Sequence, residues 1–410
     1  MKNKVYIVGH SLSPQSAETI TVLATFPRII LSEINTHRML SKNTSSSRAI
    51  PFLKMVEAIQ NNPFVPIAWQ KYHPGMQGSE YLDETVKYDL ISFMTILNDT
   101  LSSTKDEKER ARLSKKIEEK TKIIKELLTP YTLLEKTLPE WWLFARDKAV
   151  EAASILYVFD VTKQLCNRLL EPFMRTTMLI TGSREGWDNF FNLRCPNYSW
   201  IDVETIQGFK SKKDMIFKWK ENNFHGLPEI NDELGWLKLN KGQAEIHIMD
   251  LAEKIYDTMN ESTPKQLQAG EWHIPFEDKI NIDGVQGVKF TLKDGSTKYV
   301  EAKWITEYKV KVSTAMAART SYTVVGDEKE VDYQKMIELH DRLLSQDPPH
   351  SSPLEHCARA MSDEEYKVFI KGKNIGTIAP YLFDDTSKGW CNNLKGFIPY
   401  RYFIDNKIEI

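Results

Sequence analysis

Cysteine is scarce in this sequence: four in 410 residues, at Cys166, Cys195, Cys357 and Cys391. They lie far apart and show no paired spacing, so neither a zinc site nor a disulfide framework is expected, and a reducing cytoplasm fits. Long apolar runs are missing as well. No stretch approaches the ~20 residues that span a bilayer, and the short apolar start, Met1 to Gly9, is too brief for a secretory signal. Nor is there an excess of one charge, since 54 basic side chains stand against 56 acidic ones, a formal net charge of -2. Such a chain has no overall field to gather nucleic acid or an anionic membrane, and any anion site must be a local cluster. There is no internal repeat.

What is present reads as an ordinary folded protein, with 41% hydrophobic and 27% charged residues, because that much apolar surface can form a core. The length predicts two or three structural units. Val5–Val8, Ile20–Phe26 and Ile29–Leu31 read as strands leading into a polar loop from Thr36 to Arg48. Pro51 then opens a helix with Phe52, Met55, Val56 and Ile59 on one stripe. Asn61 to Gly78 is loop. Residues 80–137 have helical period and heavy charge, which reads as a solvated helical hairpin. A long helix is expected from about Glu140 past Arg168. Another follows at 244–260, a β-hairpin turns around Asp294-Gly295, and a helix spans Tyr333 to Leu344.

Chemistry-bearing residues gather in five segments. Thr36-His37-Arg38-Met39-Leu40-Ser41-Lys42-Asn43-Thr44-Ser45-Ser46-Ser47-Arg48 holds two arginines, a lysine, a histidine and four serines. A loop of this kind, between a strand and a helix, can aim N–H groups and hydroxyls at a phosphate while Arg48 grips it with two prongs. It can equally be a solvated serine-rich cap. In Lys163-Gln164-Leu165-Cys166-Asn167-Arg168-Leu169-Leu170-Glu171-Pro172-Phe173, Arg168 is either a ligand contact or the ion-pair partner of Glu171 one turn on. Trp187-Asp188-Asn189-Phe190-Phe191-Asn192-Leu193-Arg194 ends an aromatic run on a cation. The remaining two are Ala317-Ala318-Arg319-Thr320-Ser321-Tyr322 and His350-Ser351-Ser352-Pro353-Leu354-Glu355-His356, whose spacing does not match the usual zinc patterns.

Together these segments resemble the ThyX family of flavin-dependent thymidylate synthases. The family signature, Arg-His-Arg followed by spaced Ser, Asn, Ser and Arg, is met by Thr36-His37-Arg38 with Ser41, Asn43, Ser46 and Arg48. A Lys-Gln…Asn-Arg…Leu-Glu-Pro helix matches 163–172, Trp-x-Asn-Phe-Phe-x-Leu-Arg matches 187–194, and Gln-x-Glu-Ile matches Gln243, Glu245 and Ile246. The segments like 317–322 and 350–356 precede the signature in the common family layout, so the order here is that of a circularly rearranged, enlarged member. Gly75-Met76-Gln77, Gly270-Glu271-Trp272-His273 and Leu394-Lys395-Gly396-Phe397 recur in a longer subgroup. Thr36 and Thr44 depart from the family, which has arginine and glutamate there.

The resemblance implies an α+β fold, a ThyX-like mixed sheet flanked by helices, circularly permuted, with helical insertions. It divides the chain into 1–79 (core, with the signature loop), 80–137 (charged helical insertion), 138–194 (core helices with nucleotide and flavin motifs), 195–241 (insertion), 242–267 (core helix), 268–310 (β-hairpin insertion) and 311–410 (the rest of the core). The 50 N-terminal and 100 C-terminal residues are expected in one shared sheet. The implied reaction is reductive methylation of dUMP at C5, with FAD as cofactor and NADPH and methylenetetrahydrofolate as co-substrates. Glu33, Ser46, Ser47, Arg48, Arg168 and Arg194 would hold dUMP, with Arg168 and Arg194 catalytic. His37, Arg38, Asn189, Ser321, His350 and Ser352 would grip the flavin. No metal, nucleic acid or membrane is implied, and the assembly would be a homotetramer. Cys195-Pro196 invites a nucleophilic reading, but an inert buried thiol is expected. The departures at 36 and 44 leave room for another C5-modified product, such as a hydroxymethyl nucleotide, or for a non-catalytic homologue.

Overall fold

Alternation along Glu18–Pro27 builds the central strand of a five-stranded sheet. Ile20, Val22, Ala24 and Phe26 point to one face and Thr19, Thr21, Leu23 and Thr25 to the other, as the two-residue period of a strand requires. In a computed structural model this is strand β2, beside β1 (Lys4–Leu12). The described residues are 3–72, 80–201, 206–222, 232–240, 242–280, 288–291, 297–300, 304–321, 332–347, 349–370 and 387–409. The chain divides into one unit of Met1–Phe64 with Tyr157–Ile410 and another of Val65–Leu156.

In the first unit, helix α1 (Leu31–Asn35), strand β3 (Ser41–Thr44) and helix α2 (Phe52–Asn61) follow β2. Strand β4 (Arg175–Ser183) takes the free edge of β2, and β3 adds to β4. A short β5 (Lys265–Gln266) runs parallel to β1, giving the order β3-β4-β2-β1-β5. The apolar face of this sheet is covered by α3 (Arg184–Arg194) and α4 (Ile246–Asn260). Trp187, Phe190, Phe191, Ile248, Leu251 and Ile255 fill the space over Ile20, Val22, Met178 and Ile180. Removing this set from water stabilises the unit.

The opposite face carries threonines, and a second sheet meets it. That sheet is β6 (Trp272–His273), β7 (Ala358–Ala360) and β8 (Phe397–Pro399), all antiparallel. Thr21 and Thr181, directly opposite in β2 and β4, share a 2.7 Å hydrogen bond. Thr21 pairs with His273 Nε2 at 2.8 Å, His273 Nδ1 with Ser11 at 2.9 Å, and Thr181 with His356 Nδ1 at 2.8 Å. Gly9 makes room for this chain, since a Cβ there would lie 2.8 Å from the His273 ring. Helices α5 (Ile305–Arg319) and α6 (Tyr333–Leu344) close the second core with Val310, Val312, Ala315 and Met336.

Several expectations need correction. Among the described residues no strand after residue 310 enters the five-stranded sheet; β4 and β3 occupy that edge, and strands β7 and β8 join 272–273 in a sheet of their own. Ile29–Leu31 is a tight helical turn, Arg28–Ile30, running into α1, and not a strand. The polar loop after it contains β3. The long helix stops at Val158, where Asp160 adopts φ 59° and Thr162 caps a new short helix, Lys163–Cys166, followed by a 3-10 turn, Asn167–Phe173. The hairpin expected around 294–295 pairs Val288–Thr291 with Thr297–Val300; its turn and Gly75-Met76-Gln77 lie outside the described residues.

The second unit holds helices Leu90–Ser103 and Glu107–Ile123, capped by Asp89 and Asp106, with no buried residue in either. No helix among the described residues is long and apolar enough to cross a membrane.

Burial holds both His273 and His356 down to about 3, so they are neutral in the fold; His10, His356 and Lys265 add to the effect at His273. Unfolded histidine titrates near 6.5. The unfolded chain therefore gains protons first, and stability present above pH ~6.5 is lost progressively as pH falls toward 3. We expect the melting temperature to drop across this window, and the slope to flatten in His273→Gln with His356→Gln. An unchanged slope in the double variant would assign the acid limb to other groups.

Candidate active site

Strand β3 positions the signature. Its period of two buries Ser41 and Asn43 and leaves Lys42 and Thr44 half-buried. The Asn43 side chain reaches into the C-terminal part of the chain: Nδ2 donates to the carbonyl of Ala317, and Oδ1 accepts from Ser321 Oγ at 3.2 Å and Ser352 Oγ at 3.3 Å. The backbone N–H of Ser46 adds a bond to the Ser321 carbonyl at 3.0 Å. Buried Asn167 donates to the carbonyls of Ser47 (2.7 Å) and Ile50 (2.9 Å), fixing the end of the signature.

These bonds enclose a cavity of about 690 Å³ lined by Ser46, Ser47, Arg48, Arg168, Ser321, His350 and Ser352, with Arg28, Asn35, Asn43, Gln164 and Glu171. Its size is that of a small-molecule pocket. Arg48, Arg168 and His350 are exposed there, and neither guanidinium has an ion-pair partner among the described residues. Glu171 does not pair with Arg168. It accepts from Ser47 Oγ and pairs with Arg28 at 3.1 Å. Arg28 also donates to the Ser45 carbonyl at 3.1 Å. The sequence pattern does not mark Arg28 for the cavity; its one signal there is a cation directly after an apolar strand.

The other expected site residues do not line this cavity. Arg194, at the end of α3, donates from Nε to His37 Nε2 at 2.9 Å and from a terminal nitrogen to Thr36 Oγ1 at 3.3 Å. Guanidinium nitrogens only donate, so His37 Nε2 accepts and its proton sits on Nδ1. Burial, with Arg194 and Lys42 nearby, lowers His37 to about 4, so the ring is neutral. Lys42 Nζ donates to the carbonyls of Ile34, Asn35 and His37 at 3.2, 3.3 and 2.6 Å, and burial lowers it to about 8. Glu33 accepts from Ser32, and Arg38 and Asn189 are exposed. Trp187, Phe190 and Phe191 are core; the edge contact of Phe190 with His37, centroids 4.9 Å apart, is where the aromatic run meets this cluster.

No cluster of metal-ligating side chains occurs among the described residues. His356 is wholly buried against Thr181, away from His350 at the cavity. All four cysteines are free and buried. Burial, reinforced by Glu253, pushes the Cys195 thiol far up, so it is not a thiolate near neutral pH.

No protein-family model and no curated protein matches the chain. Among solved structures it is similar to a UMP/dUMP methylase PolB from Streptomyces cacaoi bound with 5-Br UMP, at 11% identity over 62% of this chain and 95% of that one, with a TM-score of 0.27. The same methylase bound with 5-Br dUMP gives 12% identity, coverages of 61% and 94%, and a TM-score of 0.27. At that score the likeness assigns no function, and the functional reading rests on this chain's own residues.

Asn43→Ala should destabilise the protein by about 2–3 kcal/mol, because one donor bond and two accepted bonds are lost at a buried site. The denaturation midpoint measures it. A change below ~0.5 kcal/mol would mean that the two C-terminal segments are held without the amide.

Proposed function

We propose that this chain is a flavin-dependent enzyme that alkylates C5 of a pyrimidine nucleotide, with dUMP as substrate and methylenetetrahydrofolate and NADPH as co-substrates. The observation that supports it best is convergence. Residues from the signature, from 163–173 and from the two segments near the C-terminus meet in one cavity around Asn43, and these are the segments on which the resemblance rests.

In this reading Ser46 and Arg48 receive the nucleotide phosphate through hydroxyl and guanidinium contacts, and Ser47, whose single O–H donates to Glu171, forms the wall beside them. Arg168 and Arg194 stabilise negative charge on the pyrimidine ring, which makes C5 nucleophilic. Neutral His37, with Nδ1–H free to donate, and exposed Arg38 and Asn189 suit the polar groups of a flavin. His350, and the lone pairs of Ser321 and Ser352, suit it from the cavity side. The donor set fits such a cofactor in type. When bound, reduced FAD would supply the hydride. Glu33 holds its carboxylate near the start of the signature, with Ser32 donating to it.

The expected residues fall into two groups within one chain, Arg48 with Arg168 and Arg194 with His37. A homotetramer with sites at subunit junctions would bring one chain's first group to another's second. This predicts complementation: Arg48→Ala and Arg194→Ala should each lose most dUMP turnover, and an equimolar, co-refolded mixture should regain part of it. A mixture no more active than its components would restrict the site to one chain. Arg48→Ala should also weaken nucleotide binding by ~1.5–3 kcal/mol with little effect on nucleoside binding.

Cys195→Ser should retain tritium release from C5-labelled dUMP, provided flavin and a reductant are present. If sulfur attacked C6, the rate would instead fall by orders of magnitude. The direct test of the whole reading is the absorbance spectrum of the pure protein, followed by titration with dUMP. A colourless protein that neither takes up added FAD nor binds dUMP would refute it.

A further inference from the structure

The cavity contains a carboxylate where an anion site would be expected to hold cations alone. Its fixed charges are the guanidiniums of Arg28, Arg48 and Arg168 and the carboxylate of Glu171. Glu171 is held at that point. It accepts from Ser47 Oγ and pairs with the Arg28 guanidinium at 3.1 Å, and both side chains are largely buried, at 14% exposure for Arg28 and 30% for Glu171. Arg28 is tied further to the Ser45 carbonyl and to Thr176 Oγ1 at 3.4 Å. Its terminal nitrogens are thus used inside the wall and its Nε is buried without a partner, so Arg48 and Arg168 remain for a ligand.

We infer that Glu171 is a specificity-determining residue that sets the charge of the anion the cavity accepts. The inference rests on the proposed nucleotide site and adds to it a residue with a defined task. Three arginines against one carboxylate leave two positive charges. A phosphate monoester, at about −1.5 to −2 near neutral pH, matches that surplus. A nucleoside diphosphate exceeds it and would bring its extra negative charge toward Glu171. Removing the carboxylate's charge while keeping its shape would raise the surplus by one and shift preference toward the diphosphate. Removing Arg28's charge as well would restore the balance.

The test measures, by calorimetric titration, the affinities of uridine 5′-monophosphate and 5′-diphosphate for the full chain. The wild type should favour the monophosphate. Glu171→Gln should move the diphosphate-to-monophosphate affinity ratio roughly tenfold toward the diphosphate, the scale of one unit charge in a half-open site. Glu171→Asp should keep the wild-type ratio, and Arg28→Gln combined with Glu171→Gln should return to it. A purely structural role for Glu171 would lower both affinities together in Glu171→Gln and would give no recovery in the double variant. If the wild type binds both nucleotides and the ratio stays fixed in Glu171→Gln, or fails to recover in the double variant, the charge-setting role is wrong and the nucleotide site stands. Should Glu171→Gln not fold, the aspartate and double variants decide by the same ratio. If the wild type binds neither nucleotide, both readings fall.

Discussion

The candidate site depends on one buried amide. Asn43 uses its oxygen twice and its nitrogen once, and all three bonds go to chain more than 270 residues away in sequence. A buried amide left without partners costs as much as the bonds could contribute, so the strand bearing Asn43 and the segments 317–321 and 350–352 are stable together and strained apart. An aliphatic residue could fill the same volume but could not hold Ser321 and Ser352 at a fixed spacing. The hydroxyls that line the cavity are therefore ordered by the same group that closes it. Asn167 does the corresponding work from the other side, tying Ser47 and Ile50 to the turn that carries Arg168 and Glu171.

The two sheets meet through polar contacts for a related reason. Ser11, His273, Thr21, Thr181 and His356 form a continuous buried chain. Sliding one sheet by a residue would break every link, whereas an apolar interface would tolerate several packings. The network thus sets the register between β2 and β4 and the second sheet. That register decides where the 352–355 turn stands relative to β3.

Features encoded locally could be read from the sequence. The helix Tyr333–Leu344 follows from its apolar spacing and the Asp332 cap, and the helix at 246–260 from its stripe and the Glu245 cap. Strand β2 follows from its apolar run, and the burial of Cys195 agrees with a sequence that marks it as activated by nothing beyond the adjacent Arg194. Relations across the chain could not be read. Spacing made Glu171 the partner of Arg168, one turn on, but the fold brings Ser47 and Arg28 to Glu171, and local spacing does not reveal such distant partners. Arg28 carried no pattern because its role comes from Ser45, Thr176 and Glu171, which the fold brings to it. The shared sheet failed because motif order does not reveal which strand takes a given edge; β4 and β3 were better placed. Asn43 stands in the signature, but its function lies in its partners, and no spacing rule identifies those.

The departures at 36 and 44 make physical sense in this setting. Thr36 Oγ1 donates to the Glu33 carbonyl at 2.6 Å and accepts from Arg194 at 3.3 Å. An arginine at that position would set a third cation beside Arg194 and Lys42, next to a His37 ring that is already kept neutral partly by those two charges. The neutral hydroxyl lets Arg194 close on His37, and Lys42, bonded to three carbonyls, braces the backbone of the turn. Thr44 lines the cavity. A glutamate there would add a second carboxylate to the cavity that Arg28, Arg48, Arg168 and Glu171 line. The two changes therefore act on separate groups of charges, one at each end of β3.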